Sequence, residues 1–221
     1  MNRMKIKAAA VVWSILSLWL LLTALAIAGE GGQIPLPEPQ KTGGKPLLEV
    51  LRERKSSREF SSQELSLQEL SNLLWAAFGI NRPELGKRTA PSAKNKQEID
   101  IYVATANGLF LYDPQGHSLH PILKDDIRAA TGLQPFVKDA PVNLIFVADF
   151  SRMEGYAEEQ KPFYSACDTG FISQNVYLYC ASQGLATVVR ASIDRASLSQ
   201  LMGLRPEQKI SLAQTVGYPK R

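Results

Sequence analysis

Arg54-Lys55-Ser56-Ser57-Arg58-Glu59-Phe60 is the stretch around which the chain can be read. Two arginines flank two serines, and an aromatic residue follows. Guanidinium forks match phosphate oxygens, and a hydroxyl between them can bond the same group. On composition alone such a pentapeptide is most often solvated surface, so its neighbours decide. Upstream, Pro46 opens a short helix, Leu47 to Glu53, that ends at the basic stretch. Downstream, Ser66-Leu67-Gln68-Glu69 is a capping box. Leu67, Leu70, Leu73, Leu74 and Phe78 then recur at helical spacing before Gly79. That face is core.

The remainder alternates helix and strand signals. Residues 80–91, with Pro83, Gly86 and Pro91, read as a polar loop. Ile99 to Ala106 reads as a strand. Leu109 to Tyr112 and Ser118 to Ile122 read as a hairpin about Asp113-Pro114-Gln115-Gly116-His117. Asp125 to Thr131 predicts a short helix, and Val142 to Ala148 is the unbroken apolar run of a strand buried on both faces. The longest helix spans Phe163 to Gln183 and stops at Gly184. Leu185 to Val189, Ser197 to Met202 and Ile210 to Val216 follow as strand, helix and strand. Hairpins and crossovers together predict an α+β fold, with helices flanking a central mixed β-sheet.

At the N-terminus, Arg3, Lys5 and Lys7 precede an apolar run from Val11 to Ile27 and the small-residue site Ala26-Ile27-Ala28. This is the layout of a signal peptide, residues 1–28, cleaved after Ala28. It predicts an exported, periplasmic or secreted protein with no membrane span after cleavage; an uncleaved anchor is the alternative. Removing 28 of the 221 residues leaves 193, enough for one domain with a real core. The leader takes three of the 25 basic residues and none of the 21 acidic ones, so the mature chain is near neutral. With no basic stripe carrying interleaved aromatics, nucleic acid is excluded as a partner. Residues 29–45, rich in glycine and proline, read as a flexible or extended leader, and the domain proper as 46–221.

Cys167 and Cys180 fall in one helix, thirteen residues and so roughly 19 Å apart. That is too far for an intrachain bridge, and both read as small buried hydrophobes. The only histidines, His117 and His120, sit at the hairpin, so neither a metal site nor a Ser-His-Asp set assembles. There is no dinucleotide glycine fingerprint and no phosphate loop. An enzyme of this composition takes its chemistry from a cofactor. Three further pieces suit one. Ser92 caps a helix start with Asn95 three residues on, Gly184-Leu185 leads from a helix into a strand, and Lys220 and Arg221 close the chain.

In order, the chain shows Arg54-x-Ser56-x-Arg58-Glu-Phe60, Leu73-Leu74-Trp75-Ala76-Ala77-x-Gly79 and Pro91-Ser92-x-x-Asn95-x-Gln97. Ala140-Pro141-Val142, Asp168-x-Gly170, Gln174-Asn175, Gly184-Leu185 and Val216-Gly217-Tyr218-Pro219 follow. This sequence resembles the FMN-dependent nitroreductase family from about residue 46 to the end. Leu-Trp-Ala-Ala with Gly108-Leu109-x-x-Tyr112-Asp113-Pro114 resembles its branch of thiazoline and oxazoline dehydrogenases. The resemblance implies a homodimer with FMN at the subunit interface, running ping-pong hydride transfer. Donor would be a small molecule, NAD(P)H in most members; acceptor would be a nitroaromatic, a quinone or a similar electrophile. A dehydrogenase of another substrate, or a flavin-binding scaffold without turnover, is the alternative. Arg54 and Ser56 would hold the phosphate and Arg58 would lie near the ring. Ser92 and Asn95 would reach the flavin from the partner. The segment with Val189 and Arg190 would pass the ring, and Lys220 and Arg221 would be terminal cations. No side chain need be catalytic, since the chemistry is on the flavin. Glu98 stands where many members have proline.

Overall fold

The computed structural model describes residues 32–220. Contacts divide the chain into two units, Met1–Ile34 and Pro35–Arg221, and the helices and the large sheet belong to the second. The signal peptide expected over residues 1–28 lies outside the described residues, as does Arg221. Among the described residues no helix is long and apolar enough to cross a membrane.

Among the described residues there are four α-helices: α1 (Leu47–Glu53), α2 (Leu67–Phe78), α3 (Lys161–Gln183) and α4 (Arg195–Leu201). The strands are β1 (Ile34–Pro35), β2 (Ile80–Arg82), β3 (Lys87–Arg88), β4 (Ile99–Thr105) and β5 (Gly108–Asp113), followed by β6 (Ser118–Leu123), β7 (Val142–Asp149), β8 (Ala186–Arg190) and β9 (Gln208–Gly217). In the large sheet the order runs β6-β5-β4-β7-β9-β8, and each of these ladders is antiparallel. β7 and β8 therefore point the same way, separated by β9 and joined by the crossover through α3. The fold is α+β, as the interspersed signals require.

Local chemistry accounts for the elements. Ser66 and Glu69 form the expected capping box, with Ser66 Oγ accepting the Glu69 N–H and Glu69 Oε2 accepting the Ser66 N–H at 2.8 Å. Pro162 sits in the first turn of α3, where its missing N–H costs nothing, and Gly184 ends the helix at φ 72°. Every residue of β7 is buried, which makes it the central strand its apolar run predicts. One sheet face carries Tyr102, Ile145, Val147 and Ala213 against Leu198 and Met202 at the α4 end. The opposite face packs on α3, where Gln214 Nε2 donates to the Ser173 carbonyl at 3.4 Å.

Three expectations need correction. Residues 80–91 are not a plain loop: β2 and β3 pair around a left-handed Gly86 (φ 59°), and Arg82 Nη2 donates to the Arg88 carbonyl. The segment after Pro35 is extended but tied down. Leu36 N–H reaches the His117 carbonyl, Ser71 Oγ the Pro37 carbonyl, and Gln40 N–H the Asn72 Oδ1. At its far end Lys45 N–H reaches Ser182 Oγ. Cys167 is exposed and only Cys180 is buried; both thiols are free.

Candidate functional site

The basic stretch is laid along the free edge of β8. Arg54 N–H closes α1 on the Val50 carbonyl, and the Ser57 N–H donates to the Thr187 carbonyl at 2.9 Å. Phe60 bridges Pro219, Ser61 N–H meets the Tyr218 carbonyl, and Lys220 N–H meets the Glu59 carbonyl. In an extended segment successive side chains point to opposite sides. Lys55 and Ser57 accordingly line a hollow of about 620 Å³ together with Tyr177, Thr187 and Lys220. Arg58 lies with Phe60, Phe136 and Lys220 around an adjoining hollow of about 400 Å³.

Tyr177 joins the parts. Its hydroxyl lies 2.8 Å from Ser56 Oγ and accepts the Val189 N–H at 3.0 Å. Its ring lies beneath the Arg54 guanidinium, 5.2 Å from ring centroid to Cζ. Among the described residues, none of Arg54, Lys55, Arg58 and Lys220 is in an ion pair. Arg54 and Ser56, brought together on Tyr177, form a donor pair for a phosphate-like anion. Lys55, Arg58 and Lys220 add positive charge around the hollows, which Glu53, Glu59 and Asp139 also line.

The structure does not bring every predicted residue here. Ser92 starts a short 3₁₀ turn rather than a helix, with its Oγ accepting the Gln97 N–H at 2.9 Å. Lys94, Asn95 and Gln97 all take left-handed φ values of 50–54°, which are sterically costly outside glycine. Asn95 Oδ1 accepts from Gln97 Nε2. The turn is tied to α3 through the Ala93 N–H, which donates to Asp168 Oδ2 at 2.9 Å. Asp168 lies nine residues before Tyr177, roughly 14 Å along the helix. Ser92 and Asn95 therefore meet α3 about two and a half turns nearer its N-terminus than Arg54 and Ser56 do.

Beside the turn, Glu98 is fully buried, with its carboxyl near Asp168 and Ser165. Burial, reinforced by the negative charge of Asp168, pushes its pKa up to about 7. Asp168 is also raised, again by burial.

The Arg190 side chain turns into the sheet and away from this edge. It is 4% exposed, and its guanidinium donates to Thr215 Oγ1, Asn143 Oδ1 and the Thr131 carbonyl. Burial lowers its pKa to about 10. Val189 keeps its place on the β8 edge, but Tyr177 takes its N–H. Sequence reasoning missed Lys55, Ser57 and Tyr177. Strand alternation signals the first two; Tyr177 carries no local signal, because its partners are 121 and 12 residues away. Among the described residues no group of three His, Cys, Asp or Glu could hold a metal.

Known proteins share this architecture. The pattern describing the Nitroreductase family matches residues 51–218. A provisionally named nitroreductase of Methanocaldococcus jannaschii is 34% identical over 170 residues, which is 72% of this chain and 84% of that protein. Among solved structures, a provisionally named nitroreductase of Ralstonia eutropha JMP134 is 44% identical. The match covers 87% of this chain and 92% of that one, with a TM-score of 0.82. Another such protein, from Desulfovibrio desulfuricans and solved in complex with FMN, shares the fold at 23% identity. That match covers 81% of this chain and 89% of the other, with a TM-score of 0.60.

Proposed function

We propose that this chain, which belongs to the nitroreductase family, is an FMN-dependent oxidoreductase. The observation that carries the reading is the gathering of Lys55, Arg58 and Lys220, none in an ion pair among the described residues, around adjoining hollows beside β8, with Arg54 stacked on Tyr177 at the same edge. Unpaired cations with serine hydroxyls between them suit a phosphate, and the tilted Phe60–Phe136 pair, centroids 5.6 Å apart, offers apolar surface beside it. Arg54 and Ser56 hold the phosphate, and Arg58 neutralises negative charge at the ring edge. When bound, FMN supplies two-electron hydride chemistry between a donor such as NAD(P)H and a nitroaromatic, quinone or similar acceptor, in ping-pong order.

Ser92 and Asn95 act on the partner's flavin in a homodimer. Their distance from Ser56 along α3 supports this, as do apolar side chains exposed on α1 and α3, Leu48 at 80% and Phe163 at 66%. The protein works outside the cytoplasm after losing residues 1–28, or on a membrane if they are retained, and acquires FMN there. The thiazoline and oxazoline dehydrogenase branch is the subfamily its Leu-Trp-Ala-Ala run favours.

Purified mature protein is the test. The expected result is a yellow dimer that releases FMN on denaturation, is bleached by a reductant and is reoxidised by a nitroaromatic or a quinone. Arg58→Ala should weaken FMN uptake or shift the flavin potential. Colourless protein that takes up no added FMN would sink the reading.

A further inference from the structure

We infer that Tyr177 is a positioning residue that makes the site select a phosphate-bearing flavin over its dephosphorylated form; this rests on the proposal that the site binds FMN. Tyr177 is 7% exposed and lies in the second half of α3, so its ring is held by packing. Its phenol oxygen accepts the Val189 N–H at 3.0 Å. Among the described residues its other hydrogen-bond partner is Ser56 Oγ at 2.8 Å, and the arrangement that leaves no buried phenol proton without an acceptor has Tyr177 donating to Ser56. Ser56 then accepts from Tyr177, and its own proton points away from the protein. The chain of donors runs from the β8 backbone through Tyr177 and Ser56 to the exposed side, where each member polarises the next.

The same ring sets Arg54. Its guanidinium lies over the aromatic face at 5.2 Å and has no carboxylate partner among the described residues. A stacked guanidinium keeps its N–H edges free for an anion, whereas a salt bridge would occupy them. One side chain therefore turns a serine proton outward and holds an arginine beside it. Neither group has reason to contact an isoalloxazine ring in preference to a phosphate. Removing the phenol hydroxyl should weaken binding of the phosphate alone.

The experiment titrates FMN and riboflavin separately into apo-protein by fluorescence quenching. Tyr177→Phe, which keeps the ring over Arg54, is expected to weaken FMN about tenfold. Riboflavin affinity should stay unchanged, and amide exchange at Val189 should quicken. Ser56→Ala should lose the same selectivity, and the double variant should lose no more than either single one. Ser56 is exposed, so that variant carries the test if Tyr177→Phe does not fold. If both variants keep the parent's preference for FMN, the inference is overturned while the cofactor reading stands. Equal weakening of FMN and riboflavin would mean a structural role only and also overturns it. A parent that binds neither flavin overturns both.

Discussion

Arg190 Nη2 donates to Asn143 Oδ1 at 3.0 Å, a bond that leaves the edge strand β8, crosses β9 and lands on the central strand β7. On the way Nε reaches Thr215 Oγ1 at 3.0 Å, and Nη1 leaves the sheet for the Thr131 carbonyl at 2.8 Å. The guanidinium spreads its donors over three nitrogens and so spans acceptors on two strands and a loop; an ammonium carries its three donors on one nitrogen and cannot span them. Arg190→Lys keeps the charge and should still lower stability by about 2 kcal/mol, because buried acceptors lose their donor. A urea midpoint unchanged from the parent would contradict the brace.

The Glu98 carboxyl should make stability fall with rising pH. Its pKa is raised to about 7 by burial and by Asp168, so between about 4.5 and 7 the folded chain holds a proton that the unfolded chain has released. The penalty is absent below that window and complete above it. Glu98→Gln mimics the protonated form. The variant should match the parent at pH 5 and exceed it at pH 8, and taking their difference removes titrations common to both. Equal unfolding free energies at pH 8 would show that the carboxyl is not confined as described.

Elements set by local chemistry were legible from sequence. The capping box at Ser66 and Glu69, the stop at Gly184 and the buried run of β7 each depend on residues within a few positions. What escaped depends on distant partners. Residues 80–91 look like a loop because β2 and β3 are too short for a period, yet Gly86 turns them into a pair. The leader after Pro35 has the composition of a flexible linker, but its backbone groups find Asn72, Ser71 and Ser182, which lie far along the chain. Ser92 has the residue type of a helix cap; the left-handed turn beyond it is held by Asp168 from α3. Arg54 and Ser56 stand out as residue types, but their relation to Tyr177 exists only in three dimensions.

Ser71 should govern how tightly that leader is held. Its Oγ donates to the Pro37 carbonyl at 2.5 Å and lies 2.7 Å from His117 Nε2, while His117 Nδ1 lies 3.0 Å from the Tyr112 hydroxyl. The consistent pattern has Nε2–H donating to Ser71 and Nδ1 accepting from Tyr112, so the imidazole is neutral. Burial lowers the pKa of His117, which makes this contribution complete above about pH 6.5 and lost as pH falls through the folded-state value. Ser71→Ala should cost about 1 kcal/mol and speed proteolysis at Lys41 and Lys45 well before global unfolding. Cleavage there at the parent's rate would mean that the other bonds suffice to hold the segment.

Gly132 should prove intolerant of a single methyl group, for a reason separable from backbone conformation. Its φ of 178° is extended and open to any residue, yet a Cβ there would lie 1.8 Å from Arg190 Nη1 and 3.0 Å from Gln134 Oε1. The cost of Gly132→Ala is therefore steric and falls on the guanidinium brace, about 1–3 kcal/mol by analogy with overpacked cores. Gly184→Ala is the contrast. At φ 72° with nothing within 4 Å of the added carbon, it should cost about 1 kcal/mol from the backbone alone. Because the first penalty acts through Arg190, combining Gly132→Ala with Arg190→Lys should cost less than the two losses added together. The second has no such partner, so Gly184→Ala with Arg190→Lys should be additive. Additivity in both pairs, read from urea unfolding, would show that Gly132 and Arg190 are not in contact.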